Sequence, residues 1–66
     1  MKLYEAERRL LLAIQEGQEV AEGDDYDTGA RLIGYGFVRG DDISSLRGNK
    51  YGNLKVTAIG REVLTA

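Results

Sequence analysis

Phe37-Val38-Arg39-Gly40 and Leu54-Lys55-Val56-Thr57 are two short runs of strand-forming composition, and the thirteen residues between them carry Arg47, Lys50 and Tyr51 among Gly48, Asn49, Gly52 and Asn53. That pattern predicts a long hairpin with a basic tip. Immediately upstream, Gly29-Ala30-Arg31-Leu32-Ile33-Gly34-Tyr35 has helical character and is stopped by Gly36, which suits the left-handed position that follows a helix's last turn. Helix, glycine, strand, basic loop and strand therefore follow one another in the second half of the chain.

Working outward, the helix before the hairpin is expected over roughly Asp27 to Tyr35. It would bury Ala30, Ile33 and Tyr26 and show Thr28, Arg31 and Tyr35 on its other side. Residues 17–27 hold two glycines and five acids, so they predict a loop with at most one short strand around Glu19 to Ala21. Asp25, Asp27 or Thr28 can cap the helix that follows, because a short oxygen side chain accepts from the free amides of the first turn. The run Asp24-Asp25-x-Asp27 lacks the glycine at the sixth position and the glutamate at the twelfth that a calcium loop needs, so capping is preferred to metal binding. After Thr57, a further N-cap, Ala58 to Leu64 predict a final helical turn or two with Ile59, Val63 and Leu64 inward.

Residues 3–16 form the clearest amphipathic helix, ending at Gly17. Leu3, Ala6, Leu10, Ala13 and Ile14 share an arc, Tyr4 and Leu11 flank it, and Glu5, Arg8, Arg9 and Glu16 face away. Leu12 lies on the polar side, which fits a helix touched on two sides or a partner contact. Glu7 lies within the apolar arc; its side chain is expected to reach past the rim to water, or else to pair with an arginine of the hairpin. The expected core is Leu3, Leu10, Ile14, Ala30, Ile33, Phe37, Val38, Val56 and Ile59.

Sixty-six residues make a single domain, 1–66, that buries only about 60% of its unfolded surface. Cysteine and histidine are both absent. Disulfides, thiolate or imidazole metal ligands and cysteine or histidine catalysis are thereby removed, leaving carboxylates as the only plausible metal ligands; an enzyme is not expected, and no metal or cofactor site is assigned. The longest apolar run, Leu10 to Ile14, is far short of the ~20 residues of a membrane span, and no basic-then-apolar leader opens the sequence. A cytoplasmic, non-membrane protein is the expectation. The net charge of −2 is unevenly spread: residues 1–27 carry three basic against eight acidic side chains, and residues 28–66 carry six against three. A polarity of this kind can orient a protein toward a polyanion despite an acidic total.

The segment Leu32-Ile33-Gly34-Tyr35-Gly36-Phe37-Val38-Arg39, with Leu54-Lys55-Val56-Thr57-Ala58-Ile59-Gly60-Arg61-Glu62-Val63-Leu64 after the loop, resembles the winged helix-turn-helix superfamily. The match lies in Val56-Thr57, Gly60-Arg61 and Leu64, set against a pattern like Leu-Thr-x-x-Gly-Arg-x-Leu, and it covers about half the chain. The resemblance implies an α+β, winged-helix-like fold with helices packed on a two- or three-stranded antiparallel hairpin sheet. It also puts the helix around Arg31 in the recognition position and Arg47 to Tyr51 in the wing. Residues 17–27 leave the second helix of the motif shortened or missing.

Two functions follow from the resemblance. One is a small DNA-binding regulator, of the kind that compact phage or mobile-element genomes encode. Thr28, Arg31 and Tyr35 would face the duplex, with Arg47, Lys50 and Tyr51 on phosphate or the minor groove and a homodimer or partner raising a weak affinity. The other is a module that keeps the shell and binds a partner protein instead, with the acidic stretch 16–27 engaging a basic surface. The position of that stretch relative to Arg31 and the wing discriminates between them.

Overall fold

The computed structural model describes residues 2–65. The elements run α1 (Glu5–Gln15), β1 (Ala21–Glu22), α2 (Asp24–Gly34), β2 (Val38–Asp42), β3 (Lys50–Val56) and α3 (Ala58–Thr65). The strands form one antiparallel sheet in the order β1-β3-β2, so the expected α+β architecture of helices on a small antiparallel sheet is the one adopted. β1 is the short strand expected near Glu19 to Ala21. It pairs Ala21 with Tyr51 and Glu22 with Lys50, and the Leu54 amide donates to the Glu19 carbonyl at 3.1 Å.

The core is Leu10, Leu11, Ile14, Ala21, Leu32, Phe37, Val38 and Leu54. On α1 the buried face is centred nearer Leu11 than its apolar arc suggests, because α1 touches α2, β3 and α3 at once. Leu12 remains 40% exposed.

α2 departs further from expectation. It starts at Asp24, three residues earlier than expected, after Gly23 at φ 61°, and no side chain caps it. Asp24, Asp25 and Asp27 instead occupy its first turn, where negative charge favours the positive end of the helix dipole. Its buried residues are Thr28, Gly29 and Leu32, while Ala30 and Ile33 are only half-buried. The inward face is thus turned by about one residue from the one that hydrophobicity marks. Gly29 explains the turn: a Cβ there would stand 3.3 Å from the Ala21 Cβ, so the missing side chain lets α2 lie directly on β1. The helix ends as expected at Gly36 (φ 84°), whose amide donates to the Ile33 carbonyl while the Phe37 amide donates to Leu32, both at 3.0 Å. This crossed pair of bonds is a Schellman motif.

In the hairpin, Val38 pairs with Val56 and Arg39 with Lys55; the register then shifts, and Asp41 pairs with Gly52. Asn53, at φ 55°, supplies the extra residue of this bulge, a conformation that asparagine tolerates better than most residues. Ser45 and Gly48 exchange backbone bonds of 3.0 and 3.1 Å, leaving Leu46 and Arg47 at the tip.

Thr57 caps α3 as its sequence predicts. Its hydroxyl accepts from the Gly60 amide at 3.1 Å and donates to the Gly36 carbonyl at 2.7 Å, which ties the start of α3 to the end of α2. Gly60 is buried because a Cβ there would run into the Phe37 carbonyl. That contact fixes the face of α3 and turns Ile59, expected inside, outward to 56% exposure, with Val63 and Leu64 half-buried.

Candidate interaction surface

Two of the three residues expected to face DNA from the second helix, Arg31 and Tyr35, bond to one carboxylate of the first, and the third, Thr28, bonds to Arg31. Glu7 is 1% exposed. Its Oε2 accepts from Arg31 Nε at 2.8 Å and from the Tyr35 hydroxyl at 3.1 Å, and its Oε1 accepts from the Tyr4 amide at 3.1 Å. Arg31 Nη2 also donates to Thr28 Oγ1 at 3.3 Å. Glu7 therefore neither reaches water nor pairs with the hairpin; its partner is Arg31 of α2. Thr28, expected on the open side of its helix, is buried at 8% exposure.

Burial pushes the Glu7 carboxyl up, but the Arg31 hydrogen bond, the Tyr4 amide, the Tyr35 hydroxyl and the Arg31 charge together outweigh it. The group is held below the ordinary carboxylate range. Tyr35 is raised in turn, first by its hydrogen bond to Glu7 and then by burial, since a donated proton is harder to remove. The Tyr35 ring lies 5.5 Å from that of Phe37, so the cluster leans on the core.

A second polar cluster surrounds the β2–β3 hairpin. The Tyr26 and Tyr51 rings stack at 4.6 Å and 11°, and the Tyr26 hydroxyl donates to Asp42 Oδ2 at 3.0 Å. Asp42 also accepts from the Ser44 hydroxyl and, at 3.0 Å, from the Ser44 amide. These Ser44 bonds hold its carboxyl below the ordinary range despite some desolvation. Tyr51 is thus half-buried as a brace between α2 and the sheet, where Gly29 leaves room for its ring. Lys50 is half-buried on β3, and its amide donates to Ser44 Oγ at 2.9 Å. Arg47 is exposed at the tip beside the exposed Leu46.

The six residues expected as a single nucleic-acid face are therefore divided. Arg31 and Tyr35 meet at Glu7 with Thr28 held to Arg31, and Lys50 and Tyr51 lie with Arg47 along the β2–β3 hairpin. Among the described residues the ion pairs are Arg31–Glu7 and the exposed Arg9–Glu5 pair at 2.8 Å, so Arg47 and Lys50 have no carboxylate partner. Acid nevertheless lies beside them. Glu22 stands across from Lys50 in the sheet, and Glu22 and Gly23 line a shallow hollow with Ser45, Arg47 and Lys50. The acidic start of α2 follows at once. The sequence signal for the Glu7 cluster was the lone carboxylate inside an apolar arc.

No group of side chains among the described residues could hold a metal ion, and no helix among them is long and apolar enough to cross a membrane. Comparison with models of known protein families, with curated proteins and with solved structures gives no match.

Proposed function

We propose that this chain is a winged-helix-like protein-interaction module whose acidic end engages a basic surface on a partner protein, and that it does not read DNA through α2. One observation carries the reading. Arg31, the only cation of α2, is spent on the buried Glu7 at 2.8 Å, while Asp24, Asp25 and Asp27 crowd the first turn of the same helix. A helix presenting three carboxylates to a phosphate backbone works against the charge neutralisation on which DNA affinity depends. The winged-helix part of the reading is supported by the strand order β1-β3-β2 and by the roles of Thr57 and Gly60, which cap α3 and seat it on Phe37. DNA binding through the wing is the second reading, favoured by the unpaired Arg47 and Lys50.

Fluorescence anisotropy with a labelled random duplex at low and moderate salt, run beside a labelled basic peptide, separates the two. The peptide should bind, and Asp24→Asn with Asp25→Asn and Asp27→Asn should weaken it more than three equivalent changes at Glu5, Glu16 and Glu62. Duplex binding whose log-log salt slope flattens by about two units in Arg47→Ala with Lys50→Ala would overturn the proposal in favour of the wing.

A further inference from the structure

The free edge of β2 has a charge pattern and a hydrogen-bonding register that fit a second copy of itself. Along β2 the odd-numbered residues direct their backbone groups to β3. Phe37 accepts from the Thr57 amide at 3.0 Å, Ile43 donates to the Lys50 carbonyl at 2.8 Å, and Arg39 and Asp41 stand opposite Lys55 and Gly52 between them. By the alternation of an antiparallel ladder, Val38, Gly40 and Asp42 turn their N–H and C=O groups the other way. The sheet ends at β2, so no strand among the described residues meets them. Arg39, Asp41 and Asp42 are exposed and Gly40 is half-exposed at that edge.

We propose that two copies pair through these edges, antiparallel about Gly40, to form one continuous sheet of both subunits. With Gly40 opposite Gly40 of the partner subunit, Val38 and Asp42 fall opposite each other, and the outward backbone groups form about six hydrogen bonds. Arg39 then stands opposite Asp41 of the partner subunit, twice by symmetry, in the closely spaced non-hydrogen-bonded positions where cross-strand pairs interact most. The register is specific. Sliding to the neighbouring one that keeps the ladder would put Arg39 opposite Arg39 of the partner subunit, or Asp41 opposite Asp41 of the partner subunit.

The isolated chain also leaves a local conflict that pairing resolves. Arg39 and Lys55 are directly opposed cations within the hairpin, an arrangement that is destabilising on a sheet, and neither has a carboxylate partner among the described residues. A carboxylate from a second subunit would sit beside Arg39 on the side away from Lys55, about 5 Å from the Arg39 strand position, and draw the guanidinium off its opposed cation. Asp42 brings no unmatched acceptor to the pairing, since Ser44 and Tyr26 already donate to it. An edge of five residues is a small interface, so the dimer is of the weak, concentration-dependent class. The pairing does not depend on whether the acidic end meets protein or DNA.

Sedimentation velocity across a wide concentration range at low salt tests it. The native chain should pass from monomer to dimer with rising concentration. Arg39→Asp and Asp41→Arg should each weaken dimerisation by about tenfold or more, and the two changes together, which swap the pair, should restore it. Arg39→Asp is safe for the fold because it replaces the opposed cations with an Asp–Lys pair, so this variant carries the test if Asp41→Arg unfolds. A native chain that stays monomeric throughout, or an Arg39→Asp variant that dimerises as the native chain does, overturns the proposal.

Discussion

The two polar clusters of this domain use the same kinds of side chain and come to opposite ends. At Glu7 a carboxylate, an arginine and a tyrosine close on one another against the core, with the carboxylate sealed from solvent. At Asp42 a carboxylate, a serine and a tyrosine join in the open, along a hairpin whose residues 41–49 are all exposed. Buried, such a cluster becomes a strut, because a charge without water must keep its partners. Exposed, it shapes a surface while water stands ready to replace any bond that breaks. The body of the fold should therefore be brittle to substitution and the hairpin tolerant.

The largest effect is expected from Leu32, a fully buried core side chain of α2. Leu32→Ala should cost about 2 to 5 kcal/mol, a large share of the few kcal/mol available to so small a domain. Chemical denaturation measures it directly, and a loss below about 1 kcal/mol would mean that α2 is not the wall of the core. Leu10→Ala should behave similarly, whereas Leu12→Ala, removing a side chain that is 40% exposed, should cost far less in a monomer.

Next comes the strut. Arg31→Met keeps the apolar stem of the arginine but strands Glu7, and should cost about 2 to 4 kcal/mol near neutral pH. Its pH dependence is the sharper readout. In the native chain the Glu7 carboxyl is held below its ordinary range, so its contribution is fully present above that range and is lost as pH falls through the lowered value. Without Arg31 burial dominates and pushes the carboxyl up, so folding then favours protonation and the variant should recover relative stability as pH falls. A cost independent of pH between about 3 and 7 would show that Arg31 acts through packing alone.

The order of elements was legible because it rests on local chemistry. Gly36 stops a helix, Thr57 starts one, and two apolar runs flank a glycine- and asparagine-rich loop. Helix faces were less legible because they depend on tertiary contacts. Gly29 contributes nothing to a hydrophobic pattern, yet its missing side chain is what brings α2 onto Ala21 and turns Leu32 inward. Gly60 does the same for α3 against Phe37, at the expense of Ile59. Glu7 could be marked as anomalous from its position, but its partner could not. Arg31 is twenty-four residues away, and nothing local distinguishes it from a cation facing solvent.

The smallest stability effect is expected at Leu46, where the contrast between body and hairpin is most exposed. This side chain stands in solvent at the turn between Ser45 and Gly48, whose backbone bonds do not involve it. Leu46→Ser should therefore change unfolding free energy by less than about 0.5 kcal/mol. Dimerisation through β2 should also be untouched, because the tip lies beyond the paired residues 38–42. A single exposed leucine is ordinary on a protein surface, so its exposure alone assigns it no role. If the tip takes part in partner binding, the substitution lowers that affinity while the melting curve stays in place. A loss of stability above about 1 kcal/mol would instead mean that the tip folds back onto the body in solution, and the hairpin would then belong to the same packed unit as Glu7.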